Sequence, residues 1–89
     1  MERAAFEAGL ARDGFGETVE RSLAAGEATP EHAHPFDARL LILAGELVLE
    51  QDGARRAYPA GAVFEVAREV RHAEIAGAEG ARYVAGRRR

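Results

Sequence analysis

Apolar and polar positions change rhythm once along this chain. Over the first dozen residues, Phe6 and Leu10 stand four apart among Ala4, Ala5, Glu7, Ala8 and Arg12. That spacing puts both on one face of a short helix made of good helix formers. Asp13-Gly14-Phe15-Gly16 supplies the stop. Beyond it the pattern is of short strands between turns. Thr18 to Leu23 alternates weakly, and Leu40 to Leu43 is an unbroken apolar run, as for a strand buried on both faces. Leu47-Val48-Leu49 reads as another strand, starting after Gly45. Asp52-Gly53 is a two-residue hairpin signal, with the return through Arg55 to Tyr58. Pro59-Ala60-Gly61 is the next turn. Val63 to Val66, His72 to Ile75 and Arg82 to Ala85 read as the remaining strands.

Many short strands punctuated by Gly and Pro predict an all-β barrel or sandwich. No helical stretch separates them, which argues against a parallel α/β sheet. With 89 residues there is room for one domain. It divides into a helix and lead-in over 1–16, a barrel over 17–86 and an arginine tail over 87–89.

Composition narrows what supports so small a core. Such domains usually need disulfides, a metal or a partner subunit. There is no cysteine, which removes disulfides and thiolate ligands. A metal held by nitrogen or oxygen, or self-association, is left. The formal net charge is −3 and all 12 positive side chains are arginine. They are spread along the chain apart from Arg87, Arg88 and Arg89, a triplet read as a solvated tail. This is not the clustered basic balance of a nucleic-acid binder. No apolar run approaches the ~20 residues of a membrane span. Glu2 and Glu7 interrupt the start, so no secretory signal is expected and a cytoplasmic address is the default. The alanine-rich, arginine-only composition hints at a GC-rich bacterial genome.

The chain has three histidines. His32 and His34 are two apart, so on a strand they point to one face and make a natural pair of metal ligands. Taken alone, they also fit two surface histidines in a turn near Pro30 and Pro35. Their surroundings bear on that choice. Five residues separate Gly26 from His32, Ala38 follows His34 after three residues, and Gly45 comes after six more. This resembles the first motif of the cupin family: Gly, five residues, His-x-His, three or four residues, Glu, six residues, Gly. Ala38 takes the place of the glutamate. The second cupin motif is matched by spacing, through Gly61 and His72, with Ala67, Glu69 and Ala76 in place of its proline, glycine and asparagine. The resemblance covers 26–76.

The resemblance implies a cupin-type jelly-roll β-barrel of antiparallel strands with a short N-terminal helix. It implies that His32, His34 and His72 project into the barrel and bind one metal. Neutral imidazoles suit a divalent transition metal such as iron, zinc, nickel or manganese. Three nitrogens leave coordination positions open, as catalytic sites do. Ala38 in the glutamate place leaves three readings: a three-histidine site, weak metal binding, or another acid standing in. Asp37 would need a bulge to reach the metal and reads better as a turn or edge residue. Glu74 lies two past His72 and should share its face. A carboxylate facing into a barrel is costly unless paired or near a metal. Glu74 is therefore read as a pocket acid, a partner to the ligands or a base, unless strand twist carries it to solvent. Phe36, Ala38, Ile42, Phe64 and Tyr83 are the expected pocket wall.

Three functions fit. The first is a metal-dependent dioxygenase or isomerase of a small organic molecule. The second is a non-catalytic sensor of a small molecule or metal. The third is a structural homodimer with a vestigial site. The fold hosts diverse chemistry and does not choose among them. A homodimer is expected, because a short barrel leaves strand faces and edges to cover, and the stretch from Phe6 to Leu23 is suited to that contact.

Overall fold

The computed structural model describes residues 1–89. The elements are a helix α1 (Arg3–Arg12) and strands β1 (Glu17–Leu23), β2 (Asp37–Gln51), β3 (Ala54–Pro59), β4 (Val63–Val66) and β5 (His72–Arg88). All strand pairings are antiparallel, in the order β1-β5-β2-β3, with β4 also on β2. The all-β class and the antiparallel barrel expected from the sequence are what form.

Two long strands build both halves of the barrel. In one half, β5 over 81–87 lies between β1 and the first part of β2, and β4 flanks β2. In the other half, β5 over 72–76 pairs with β2 over 47–51, and β3 lies beyond β2. The chain at Ala28 and His32 closes the far side of β5 through bridges to Ile75 and His72.

Sequence patterning expected breaks within β2 and within β5, and the structure has bends there instead. The β2–β5 register shifts between Ile42 and Ala44 and again between Gly45 and Leu47. Gly45 has φ 73° and Gly80 has φ 78°. A Cβ on Gly45 would overlap the Gly80 carbonyl. Glycine is required there by close approach as well as by its dihedral. The strands therefore continue through the corner rather than ending at it.

The apolar run at Leu40 to Leu43 is buried on both faces, and α1 is the reason. Phe6, Leu10 and Phe15 pack on Leu41 and Val84, which are register partners on β2 and β5. Each such buried side chain contributes about 1.5–3 kcal/mol. A ten-residue helix is marginal alone, and Glu2 makes no side-chain cap bond, so docking holds α1 in place. On the inner face, Leu40, Ile42, Leu47, Leu49, Phe64, Val66 and their neighbours form the barrel core.

The Asp-Gly hairpin forms as expected. Asp52 and Gly53 both have positive φ, 55° and 75°, between the paired Gln51 and Ala54. That is the signature of a type I′ turn, whose twist suits two antiparallel strands. The arginine triplet differs from expectation. Arg87 and Arg88 belong to β5, paired with β1 and β2, and Arg89 is held by Glu17 at 2.6 Å. The tail is a strand end. No helix is long and apolar enough to cross a membrane.

Candidate metal centre

His72 opens β5, and His32 sits across from it as an antiparallel bridge. Each backbone N–H donates to the other's carbonyl at 2.9 Å. His34 follows two residues on, outside any strand. Its carbonyl accepts from the Glu69 N–H at 2.8 Å, and its ring stacks on Phe36 at 4.6 Å. The three imidazoles close a triangle, with centroids 4.3 Å apart for His32–His72 and 4.8 Å for the other two pairs. Their candidate ligating nitrogens all lie within 4.8 Å of one another.

The ring orientations are set from behind. His32 Nδ1 lies 2.7 Å from the Pro30 carbonyl, and His72 Nδ1 lies 2.9 Å from the Val70 carbonyl. A carbonyl only accepts, so Nδ1 carries the proton in both rings. Nε2 is then the atom offered to the interior. A ligand imidazole oriented through its second nitrogen is the usual arrangement at protein metal sites. The donor set fits a borderline transition metal.

Glu74 shares the face of His72, as its spacing predicted, and is 6% exposed. Its Oε1 lies 3.4 Å from His72 Nε2 and its Oε2 lies 3.8 Å from His32 Nε2. The Thr29 hydroxyl donates to Oε2 at 2.7 Å and accepts from the Glu74 N–H at 3.0 Å. Burial pushes the Glu74 carboxyl up, but the hydrogen bond from a metal-free His72 protonated at Nε2 as well, together with that from the Thr29 hydroxyl, outweighs it and the net direction is down. Glu74 is therefore ionised at neutral pH. The same hydrogen bond raises the His72 imidazole against the pull of burial. His34 moves the other way. Burial lowers it, and the neighbouring His72 and His32 add to the effect. A neutral imidazole is the form that binds metal.

A cavity of about 310 Å³ adjoins the histidines. Phe36, Ala38 and Tyr83 line it, together with His32, His34 and Glu74. Ile42 and Phe64 do not. Both are buried in the same core, where Phe64 stacks on Tyr58 at 4.5 Å, and Leu40 stands on the wall instead. His72 is 2% exposed and does not reach the cavity surface. Burial raises the Tyr83 hydroxyl, with Glu74 adding to it. Asp37 faces away from the histidines. It accepts from the Arg68 N–H at 2.9 Å and from Arg88 at 3.1 Å, and the Arg68 backbone bond leads the causes that hold it at about 2.

Sequence reasoning missed Thr29, Arg21 and Arg87, all on the cavity wall. Strand parity could have found Arg87, which alternates with Tyr83 and Ala85. Thr29 carries no sequence signal of its own. Its place depends on the bridge between Ala28 and Ile75.

Residues 19–85 match the family model described as Cupin domain. The chain belongs to the cupin family. Among solved structures, this cupin is similar to an RmlC-like cupin from Shewanella frigidimarina, with 23% identity and a TM-score of 0.71. It covers 79% of this chain and 62% of that one. A Cupin 2 conserved barrel domain protein from Salinispora arenicola is 26% identical, with a TM-score of 0.73. The match spans 81% of this chain and 61% of that one. The DMSP lyase DddQ from Ruegeria pomeroyi is 23% identical with a TM-score of 0.75, over 81% of this chain but only 37% of its own. No curated protein matches the chain.

Proposed function

We propose that this cupin holds a divalent transition metal on Nε2 of His32, His34 and His72, beside Glu74, and takes a small organic molecule into the adjoining cavity. The observation that carries the reading is the buried Glu74 carboxyl group within 3.8 Å of two oriented imidazole nitrogens. Such a carboxylate is costly without cationic or metal company. Iron, zinc, nickel and manganese all suit the donors.

When bound, the metal supplies Lewis acidity and a template for a chelating ligand. The chain supplies the rest. Thr29 donates to Oε2 of Glu74 and so fixes the carboxylate's orientation. Oε1 lies 3.4 Å from His72 Nε2 and, with that nitrogen given to a metal, would be free to take a proton from a molecule in the cavity. The Tyr83 phenol, kept protonated by burial, can donate a hydrogen bond. The apolar wall of Val19, Leu23, Phe36 and Leu40 limits water. A base facing a bound molecule favours metal-assisted proton transfer, the isomerase type of reaction, over oxygenation.

Metal analysis of purified protein and titration of Co²⁺ or Zn²⁺ test the reading. His72→Ala is expected to abolish binding. Glu74→Gln is expected to weaken it about 10–100-fold while leaving the fold intact by circular dichroism. Wild-type protein that retains no metal after loading and dialysis would overturn the proposal.

A further inference from the structure

The 12 arginines of this chain are not equivalent. Nine are held by carboxylates within 4.0 Å. The three without such a partner are Arg21, Arg56 and Arg87. Arg56 lies over the Tyr58 ring, away from the histidines. Arg21 and Arg87 both line the cavity. The guanidinium groups left free of carboxylates are thus concentrated where a ligand would sit.

Their placement follows from the register. Val19, Arg21 and Leu23 alternate inward on β1, and Tyr83, Ala85 and Arg87 do so on β5. Arg21 stands opposite Tyr83, and Arg87 stands opposite Ala38 on β2. Arg87 lies over Phe36 at 4.8 Å, which holds it against the wall. The carboxylate facing it across β1 is Glu17, already taken by Arg89. Within the cavity the one carboxylate is Glu74, already engaged by Thr29 and His72. Neither guanidinium on this half-apolar wall has a carboxylate within 4.0 Å of its own, although Glu17 lies near enough to Arg87 to be lowered by its charge.

Resting on the metal-site reading above, we propose that the cavity binds a small organic carboxylate, with its anionic group on Arg87 and Arg21 and its body against the apolar wall. Arginine recognises carboxylates through paired, charge-assisted hydrogen bonds. The cavity volume sits at the low end for ligand sites, about 300–1,000 Å³, so the acid is small. The proposal also accounts for Ala38. An acid at that position would face Arg87 across the β2–β5 ladder and neutralise it. The alanine leaves Arg87 available to the ligand.

The test compares benzoate and hexanoate with benzamide and hexanamide, by calorimetry and by amide chemical shifts. It uses zinc-loaded and metal-free protein. The acids are expected to bind and to outcompete the amides. Arg87→Gln should weaken the acids about 10–100-fold and leave the amides unchanged. Ala38→Glu should weaken the acids by a similar factor, and Arg82→Gln, on an arginine paired with Glu20, should not. Equal binding of acids and amides overturns the inference, as does binding indifferent to Arg87→Gln, or no binding of either acid. Zinc titration is a separate arm. If zinc fails to bind while the acids still depend on Arg87, the metal reading falls and this one stands.

Discussion

Glu69 has φ 63°, in the left-handed region that L side chains avoid. The second cupin motif has a glycine at this place, and the structure shows why one would serve. The Glu69 N–H donates to the His34 carbonyl, so the turn that strains Glu69 also holds a candidate metal ligand. Glu69→Gly relieves the dihedral while its added unfolded-state entropy offsets part of the gain. The expected net effect is a stabilisation of about 1 kcal/mol, read by chemical denaturation. Metal affinity should be unchanged, since the bond uses the backbone. The clustering of the three histidines was legible because they fall at the spacing of the two cupin motifs. Glu74 was legible through strand parity. Parity also gives the inward face of Arg87, but not its lack of a carboxylate partner, which depends on neighbours in β1 and β2 far away in sequence.

At the scale of elements, the end of the barrel is tied by Asp37. This residue begins β2, and it receives hydrogen bonds from Arg68 after β4 and from Arg88 at the end of β5. Its carboxyl is held at about 2, below the ordinary 3.8, first through the Arg68 backbone bond. The folded state therefore binds this proton less readily than the unfolded chain. The stabilisation is complete above about pH 4 and is lost as the pH falls toward 2. Asp37→Asn should melt below wild type at neutral pH, and the gap should close over that window in thermal scans. Strand existence and the Asp52-Gly53 turn could be read from the sequence. The continuity of β2 and β5 could not, because Gly45 signals a break by itself. Only the approach of the Gly80 carbonyl turns that break into a bend.

For the whole molecule, the core is small and a metal would be part of its stability. Binding to the folded state alone adds about 2.7 kcal/mol at a hundredfold excess over Kd. For a domain of this size that raises Tm by roughly 10–20 °C. Scanning fluorimetry with and without Zn²⁺ reads the shift, and His72→Ala should abolish it. The expectation of a homodimer drew on apolar faces needing cover. Here α1 covers one face of the sheet, and Met1, 65% exposed, is the exposed large apolar side chain. The other ground was strand edges, and β1 and β3 end the sheet order, so size-exclusion chromatography at micromolar concentration is the test of pairing.

The corner of β5 separates the two ends of the cavity. His72 and Glu74 lie before it, Tyr83 and Arg87 after it, and 77–80 between them have no partner on β2. The proposed metal end and the proposed anion end of the cavity are thus indexed separately on one strand. Residues added to or removed from this corner would alter the reach between the two ends while each keeps its own pairing with β2. A lineage built on this chain could retune the length of its ligand at one exposed corner, without rebuilding either end.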